Sequence, residues 1–547
     1  MIKFSCPKCG AVYETDDSFN GRKVICGECE NKFNVAVEPP ALKAKPAEVD
    51  HGPSTYITCP HCWKRFDFKE INYISRHLDL LGDPVLGSDA QKRFLPLKFS
   101  AHGMAIDERG MECPEMACPH CHLKIPESVV DLPSSIFSIV GAPSSGKSYL
   151  LTSMLWQIRK SLPQYFEYNI GDVDASFNSV INEYESLLFM NNHPERPVAL
   201  PKTELQGSGY TNQTMLNGFP VDLPKPFIFA LTPKPAHPNY EKMRKELERN
   251  IILYDNAGEH FQPGHESVNN LATNHLAFSD GIIFVYDPLR DNRMQDLCDR
   301  RDPQFQQESV NQLALFHEMA SRIRKFSGLQ ASDKYRQPLI VAIAKFDVLR
   351  ERMSLDIKPD GYLKYDGDKL EYALDLQYIT NVSFLLREKL MDIAPEFVGA
   401  VEAFSETVYF VPVSAFGCSP EVIDGPASVP GRPKTLGIVP AKMRSFWTEV
   451  PFLLHLYLHG LLSGVAPEPE GAGQIEHYKF TNGTITFSFP GESRRHELPR
   501  VYWGQSLYCR GDKRFYTLPQ PGGQSGAKTC QAKSIDEQID TDFWNQQ

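Results

Sequence analysis

Gly141-Ala142-Pro143-Ser144-Ser145-Gly146-Lys147-Ser148 fills the pattern G-x-x-x-x-G-K-[ST] at every fixed position. An apolar run, Ile136 to Val140, leads into it. Beyond it, Leu150, Leu151, Met154, Leu155 and Ile158 recur at helical spacing over 147–160. A strand that feeds a glycine loop and then opens a helix is the setting in which such a loop cradles phosphate. Glycines let the backbone wrap closely, and successive N–H groups at a helix N-terminus offer positive potential. Lys147 is expected to reach the β- and γ-phosphates of a nucleoside triphosphate, and the Ser148 hydroxyl to ligate Mg²⁺. Gly141, Ser144, Ser145, Gly146, Lys147, Ser148 and Tyr149 form the expected contact set. Pro143 lacks an N–H, so its neighbours must supply the amides.

Working outward, apolar runs bounded by turn residues predict strands at 136–140, 226–232, 251–255, 281–286, 338–344 and 408–413. Helical patterns fit 147–160, 308–326 and 381–393. Strands alternating with helices predict an α/β, doubly wound, mostly parallel sheet covered on both faces. In such sheets ligands collect at the carboxyl ends of the strands, and three further motifs stand there. Asp255-Asn256-Ala257-Gly258 is a D-x-x-G sequence. Its Asp would hold Mg²⁺, and the Gly258 amide would sense the γ-phosphate. Ala344-Lys345-Phe346-Asp347 approximates N/T-K-x-D, in which the carboxylate accepts from guanine N1–H and N2 while the lysine stem covers the base. Adenine lacks that donor pair. Ser414-Ala415-Phe416 approximates S-A-K, whose backbone meets the guanine oxygen.

Taken in this order, the motifs resemble those of translation-factor-type and Ras-like GTPases over about 134–465. That likeness implies GTP with Mg²⁺ as ligands. It also implies Lys147 and the residue after D-x-x-G as the hydrolytic pair. Here that residue is Glu259, which could position water, yet would repel the γ-phosphate; capping a following helix is the competing role. Slow turnover, accelerated by a partner, is the expectation. Ser148 and Asp255 are 107 residues apart, so a long insertion separates them. Thr203 is the first candidate for the switch threonine on Mg²⁺, with Thr211 and Thr214 as alternatives.

Nine of the 13 cysteines precede residue 122. Cys6, Cys9, Cys26 and Cys29 form two Cys-x-x-Cys knuckles at a spacing that closes a four-thiolate Zn²⁺ site resembling a zinc ribbon. Cys59-Pro60-His61-Cys62 and Cys118-Pro119-His120-Cys121 repeat one knuckle sequence and predict a second site. Cys113, His61, His120 and His122 are spare ligands. Cys298, Cys418, Cys509 and Cys530 show no ligand spacing and read as core or loop residues. The expected domains are a zinc ribbon at 1–36, a Pro-rich linker at 37–56, a second zinc-binding module at 57–132, the P-loop GTPase domain at 133–465 and a β-rich segment with a flexible tail at 466–547. In the last, Asn482-Gly483 sits between two alternating runs and predicts a hairpin.

The net charge is −11, and residues 57–132 hold nine basic and eleven acidic side chains. Neither offers the basic stripe of a phosphate-backbone binder, so protein contact is expected ahead of nucleic acid. No early apolar stretch follows a basic start, so no secretory signal is expected. The longest apolar run, Val450 to Leu462, is well short of the roughly 20 residues that span a bilayer, so a cytoplasmic location is expected. Two cysteine modules before a divergent GTPase resemble the bacterial double-GTPase group. That likeness implies a switch in conflict or defence systems beside a second GTPase or a regulatory partner. The alternatives are a non-hydrolysing nucleotide-binding scaffold and a nucleic-acid-associated ATPase.

Overall fold

The computed structural model describes residues 56–201, 211–255 and 273–521, apart from 299, 307–308, 354, 368–370, 424–435 and 482, together with four short strands between residues 2 and 34. The chain divides into two units, 1–55 and 56–547. In the first, Ile2–Ser5 pairs antiparallel with Val12–Thr15, and Lys23–Ile25 with Lys32–Asn34. Cys6, Cys9, Cys26 and Cys29 lie outside the described residues, as do Thr203, Gly258 and Glu259.

The second unit is built on a seven-stranded sheet. Its strands are β1 (Ser134–Gly141), β2 (Tyr168–Asp172), β3 (Phe227–Pro233), β4 (Arg249–Asp255), β5 (Gly281–Tyr286), β6 (Leu339–Ile343) and β7 (Val408–Pro412). The order across the sheet is β2-β3-β4-β1-β5-β6-β7. From β4 to β7 every neighbour is parallel, while β2 and β3 join antiparallel at one edge. Strand β5 is buried at all six residues, as expected of a parallel strand covered on both faces. The six expected strands are present, and β2 is an addition. The helices at Gln312–Ser327 and Leu376–Ile393 lie near their expected bounds.

Helix α1 (Lys147–Tyr165) follows β1 through the glycine loop. It packs Leu150, Leu151, Met154, Leu155 and Ile158 into one core with Phe137, Ile139, Ile251 and Leu253. Successive strand residues point to opposite faces, so Ile136, Ile252 and Tyr254 face the other way. That second face is covered here by the cysteine module. Ile136, Ile228, Ile252 and Tyr254 share a core with Cys59, Cys62, Trp63, Phe66, Cys118 and Cys121. The module carries a four-stranded sheet in the order 93–94, 72–74, 116–117, 124–125.

The long interval between Ser148 and Asp255 contains β2, helix α2 (Ala175–Phe189), a hairpin of Thr211–Leu216 with Phe219–Pro224, and β3. The hairpin adds Leu216, Val221 and Leu223 to the module's core. Toward the chain end, Tyr478–Thr481 pairs with Thr484–Phe487 around residues 482–483, and His496–Pro499 extends that sheet. Its side chains Ile485, Phe487 and Leu498 pack with Phe384 of the helix Leu376–Ile393. Among the described residues no helix is long and apolar enough to cross a membrane. The helix Val450–Leu458, within the longest apolar run, is instead buried in the main core.

Covering Ile136, Ile228, Ile252 and Tyr254 contributes about 6–12 kcal/mol at about 1.5–3 kcal/mol per large side chain. That equals the whole net stability of an ordinary domain. A chain that begins at residue 133 is therefore expected to be molten or insoluble. Strong binding of a hydrophobic dye and loss of near-ultraviolet dichroism would report it; a cooperative thermal transition in that fragment would contradict it.

Candidate functional site

The parallel strands deliver five loops to one sheet edge: those after β1, β4, β5, β6 and β7. The loop after β1 is shaped by backbone that ordinary residues avoid. Ser144 lies at φ 57° and Gly146 at φ 87°, and Gly146 caps α1. Gly141 is held by a close approach, since a Cβ there would sit 2.7 Å from the Val285 carbonyl oxygen of β5. Lys147 is buried, and its Nζ donates to the Gly141 and Ala142 carbonyls at 3.0 and 2.8 Å. The ammonium thus lies across the loop mouth. Ser145 Oγ is enclosed with no hydrogen-bond partner among the described residues.

Asp255 stands at the end of β4, beside β1. Its Oδ2 accepts from Ser148 Oγ at 2.7 Å. Its Oδ1 is enclosed and has no hydrogen-bond partner among the described residues. A buried acceptor of this kind is costly unless something satisfies it. Burial raises the Asp255 carboxyl above its ordinary range, against the pull of the Lys147 charge and the Ser148 hydroxyl. A hard divalent cation binds oxygen donors. The pairing of Ser148 Oγ with a carboxylate that has one oxygen left over fits Mg²⁺.

The loops after β6 and β7 meet at a cavity of about 720 Å³, lined in part by Trp156, Phe346, Asp347, Ser414, Arg444 and Phe446. Ser414 Oγ donates to Asp347 Oδ1 and accepts from the Gly417 amide at 2.8 Å. Burial raises the Asp347 carboxyl; the Ser414 hydroxyl opposes this. Lys345 sits at φ 52°, with its Nζ 2.7 Å from the buried carboxylate of Asp287, just past β5. The Ala415 carbonyl accepts from Ser153 of α1 and from Ser445, each at 2.9 Å. Phe416 meets the Tyr149 ring edge-on at 4.8 Å, and the Tyr149 hydroxyl accepts from the Leu200 amide at 2.8 Å.

The structure therefore brings Gly141 to Tyr149, Asp255, Lys345, Asp347 and Ser414 to Phe416 to one edge. It adds side chains that no motif marks. Arg290, nearly buried, donates to the Pro143 carbonyl at 3.1 Å. Asp287 was findable as an acid at a strand end; Arg290, Ser153 and Ser445 carry no sequence signal. One alternative is corrected. Thr214 is buried on the hairpin and donates to the Cys121 carbonyl at 2.8 Å, which commits it to the cysteine module rather than to a cation beside Ser148.

Cys59, Cys62, Cys118 and Cys121 gather their sulfurs within 4.8 Å of one another, all buried. Cys59 to Cys121 is 3.7 Å and Cys62 to Cys118 is 3.8 Å. Disulfide sulfurs lie about 2.05 Å apart, so these are not bonded pairs. Four thiolates about 2.3 Å from a tetrahedral Zn²⁺ would be spaced by about 3.8 Å. The two knuckles are copies in geometry. In each, the first cysteine carbonyl accepts from the residue four places on, Trp63 or His122, and these two lie at φ 58° and 57°. Three of the four spare ligands are engaged elsewhere: His61 Nε2 is 2.9 Å from the Lys124 carbonyl, His122 Nδ1 pairs with Asp83 at 2.8 Å, and Cys113 donates to Asp107. With both knuckle pairs loaded, elemental analysis of the full chain is expected to give about two Zn per chain. Cys118→Ser should remove one; an unchanged content would refute the buried cluster as a site.

No family model matches the chain, and no curated protein is similar enough to match. Solved structures similar to it include Sup35 complexed with GDP (12% identity, TM-score 0.18, 52% of this chain and 38% of that one). A second is Methanosarcina barkeri Roco2 RocCORdC bound to GDP (14%, 0.18, 52% and 44%). A third is the signal recognition particle receptor SRb-GTP/SRX complex from Chaetomium thermophilum (14%, 0.21, 54% and 94%). The chain thus spans less than half the length of the first two. Two of these structures hold GDP and the third is an SRb-GTP complex; the chemistry of the site described above rests on its own residues.

Proposed function

We propose that this chain is a Mg²⁺-dependent GTP-binding switch protein with slow, partner-regulated hydrolysis to GDP and phosphate. The observation that carries the reading is the Ser148–Asp255 contact at 2.7 Å beside an enclosed, unsatisfied Asp255 oxygen. Ser148, Asp255 and Thr203 would hold the cation, which supplies charge neutralisation at the phosphates. Lys147 leaves its loop carbonyls to meet the β- and γ-phosphates. Amides of Ser144 to Tyr149 and of Gly258 serve the phosphates, and Glu259 orients water. Asp347 reads the guanine amine edge, with Lys345 over the base and the Ser414–Phe416 backbone at its oxygen.

Glu259 also favours a second reading, a scaffold that holds nucleotide without useful turnover, because a carboxylate facing the γ-phosphate repels it. Membership of a conflict or defence system, with a second GTPase or a regulatory protein as partner, is the biological setting that the module order suggests. Zinc in the cysteine clusters is structural in this scheme, and the chain works in the cytoplasm.

Calorimetry with Mg²⁺ should show GTP binding well ahead of ATP; the reverse order would sink the guanine reading and favour an ATPase. Asp347→Asn removes a charged acceptor for two hydrogen bonds. GTP affinity should fall by about 3 kcal/mol or more, a hundred-fold or more. Xanthosine triphosphate, which presents an oxygen where guanine has its amine, should gain relative to GTP. Lys147→Ala should abolish binding of both. Single-turnover assays with and without cell extract separate the two readings, since inert protein in both conditions would leave only the scaffold.

A further inference from the structure

Asp255 is positioned from the far side of the sheet. Its chain neighbour Tyr254 is fully buried and points away from α1, into the core of the cysteine module. The Tyr254 hydroxyl is used twice there. It accepts from Trp63 Nε1 at 3.1 Å and donates to the Pro60 carbonyl. Pro60 and Trp63 belong to the knuckle Cys59-Pro60-His61-Cys62-Trp63, whose turn is closed by the Trp63 amide on the Cys59 carbonyl at 3.0 Å. The Trp63 indole also stacks on Phe278 at 6.2 Å and 13°. Between the two, His275 stacks on Tyr254 at 4.4 Å and 19°, and its Nδ1 is 2.6 Å from Ser138 Oγ of β1. The knuckle therefore grips the end of β4 and, through His275, the strand that carries the phosphate loop.

We infer that Trp63 is a positioning residue for Asp255: the first knuckle of the four-cysteine cluster fixes Tyr254, and through it the carboxylate that meets Ser148, so that metal held by the cluster and Mg²⁺ held at Asp255 are coupled. The inference rests on the reading of Asp255 as a Mg²⁺ ligand. A tyrosine hydroxyl bonded on both sides has one rotamer, and Cα of Asp255 is one peptide bond from that anchor. A tetrahedral metal on the four sulfurs, two from each knuckle, would hold the first knuckle in one geometry. Coupling between two such sites is reciprocal in binding free energy, so a change at either should be felt at the other.

The test uses the full zinc-loaded chain and two variants. Trp63→Phe keeps an aromatic ring and loses the N–H; Tyr254→Phe keeps the ring stacked on His275 and loses the hydroxyl. Three quantities are measured: zinc per chain, GTP affinity in EDTA, and the Mg²⁺ concentration for half-maximal GTP binding. The expected result is unchanged zinc and unchanged EDTA affinity, with the Mg²⁺ requirement raised about three- to ten-fold in each variant, as loss of one or two buried hydrogen bonds allows. The tryptophan emission of the wild type should also change when Mg²⁺ joins bound GTP, and Trp63→Phe should remove that change. A purely structural Trp63 would lower stability and leave the Mg²⁺ requirement alone, and that result in both variants would overturn the inference by itself. Wild-type binding indifferent to Mg²⁺ would overturn the reading of Asp255 and the inference with it.

Discussion

Parallel pairing from β4 through β1, β5 and β6 to β7 is the constraint on which the rest depends. Strands that run the same way must end at the same edge, and each must return by a crossover. The carboxyl ends of five strands therefore face one crevice regardless of what their loops contain. Asp255, Asp287, Lys345, Asp347 and Ser414 become neighbours because of strand direction, across up to 159 residues of sequence from Asp255 to Ser414. The same pairing leaves the loop after β1 at the centre, flanked by β4 and β5. This explains why a glycine is required at 141, where β5 leaves no room for a Cβ.

A parallel sheet must be covered on both faces, and this one meets the demand in an unusual way. Over β3, β4 and β1 the second face is closed by a cysteine module instead of a helix. Neither partner is sufficient alone. A module of some seventy-five residues with many two- and three-residue strands has little core of its own, and the sheet would expose Ile136, Ile228, Ile252 and Tyr254 without it. The hairpin 211–224 strengthens the joint from the other knuckle, through Thr214 on the Cys121 carbonyl and the Met215 amide on the Val85 carbonyl. Each of the two knuckles is thus tied to a different element, the first to β4 and the second to the hairpin.

The sheet was largely legible because its strands are long apolar runs ended by turn residues. Strand β2 was not. Asn169 and Gly171 are poor strand formers, and Tyr168–Asp172 is held by antiparallel pairing with β3, which a linear reading does not see. The hairpin 211–224 did carry a signal. Asn217 and Gly218 lie at φ 53° and 82° between Leu216 and Phe219, paired across a two-residue loop. That is the Asn-Gly turn expected of a hairpin. The cluster of Cys59, Cys62, Cys118 and Cys121 and the glycine loop after β1 announced themselves by spacing. What no spacing could reveal is contact across the sheet: Trp63 on Tyr254, 191 residues apart, or Ser153 on Ala415, 262 apart.

Ala344 is the clearest departure from the guanine-motif pattern, and packing accounts for it. The residue is buried in the main core, its amide donating to the Tyr286 carbonyl of β5 at 2.9 Å. An Asn or Thr there would bring a polar group into apolar surroundings, at a cost of about 1–3 kcal/mol if left unpaired. The bracing that such a side chain would offer is distributed over other residues. Asp287 holds the Lys345 ammonium, Ser414 holds the Asp347 carboxylate, and Ser153 and Ser445 together hold the Ala415 carbonyl. Gly417, at φ 67°, allows the Arg444 carbonyl to approach so closely that a Cβ would lie 2.0 Å from it. This draws the segment bearing Ser445 onto the loop. With Ala at 344, Lys345 and Asp347 are thus held directly by Asp287 and Ser414, and the loop that carries Ser414 is held in turn by Ser153 and Ser445.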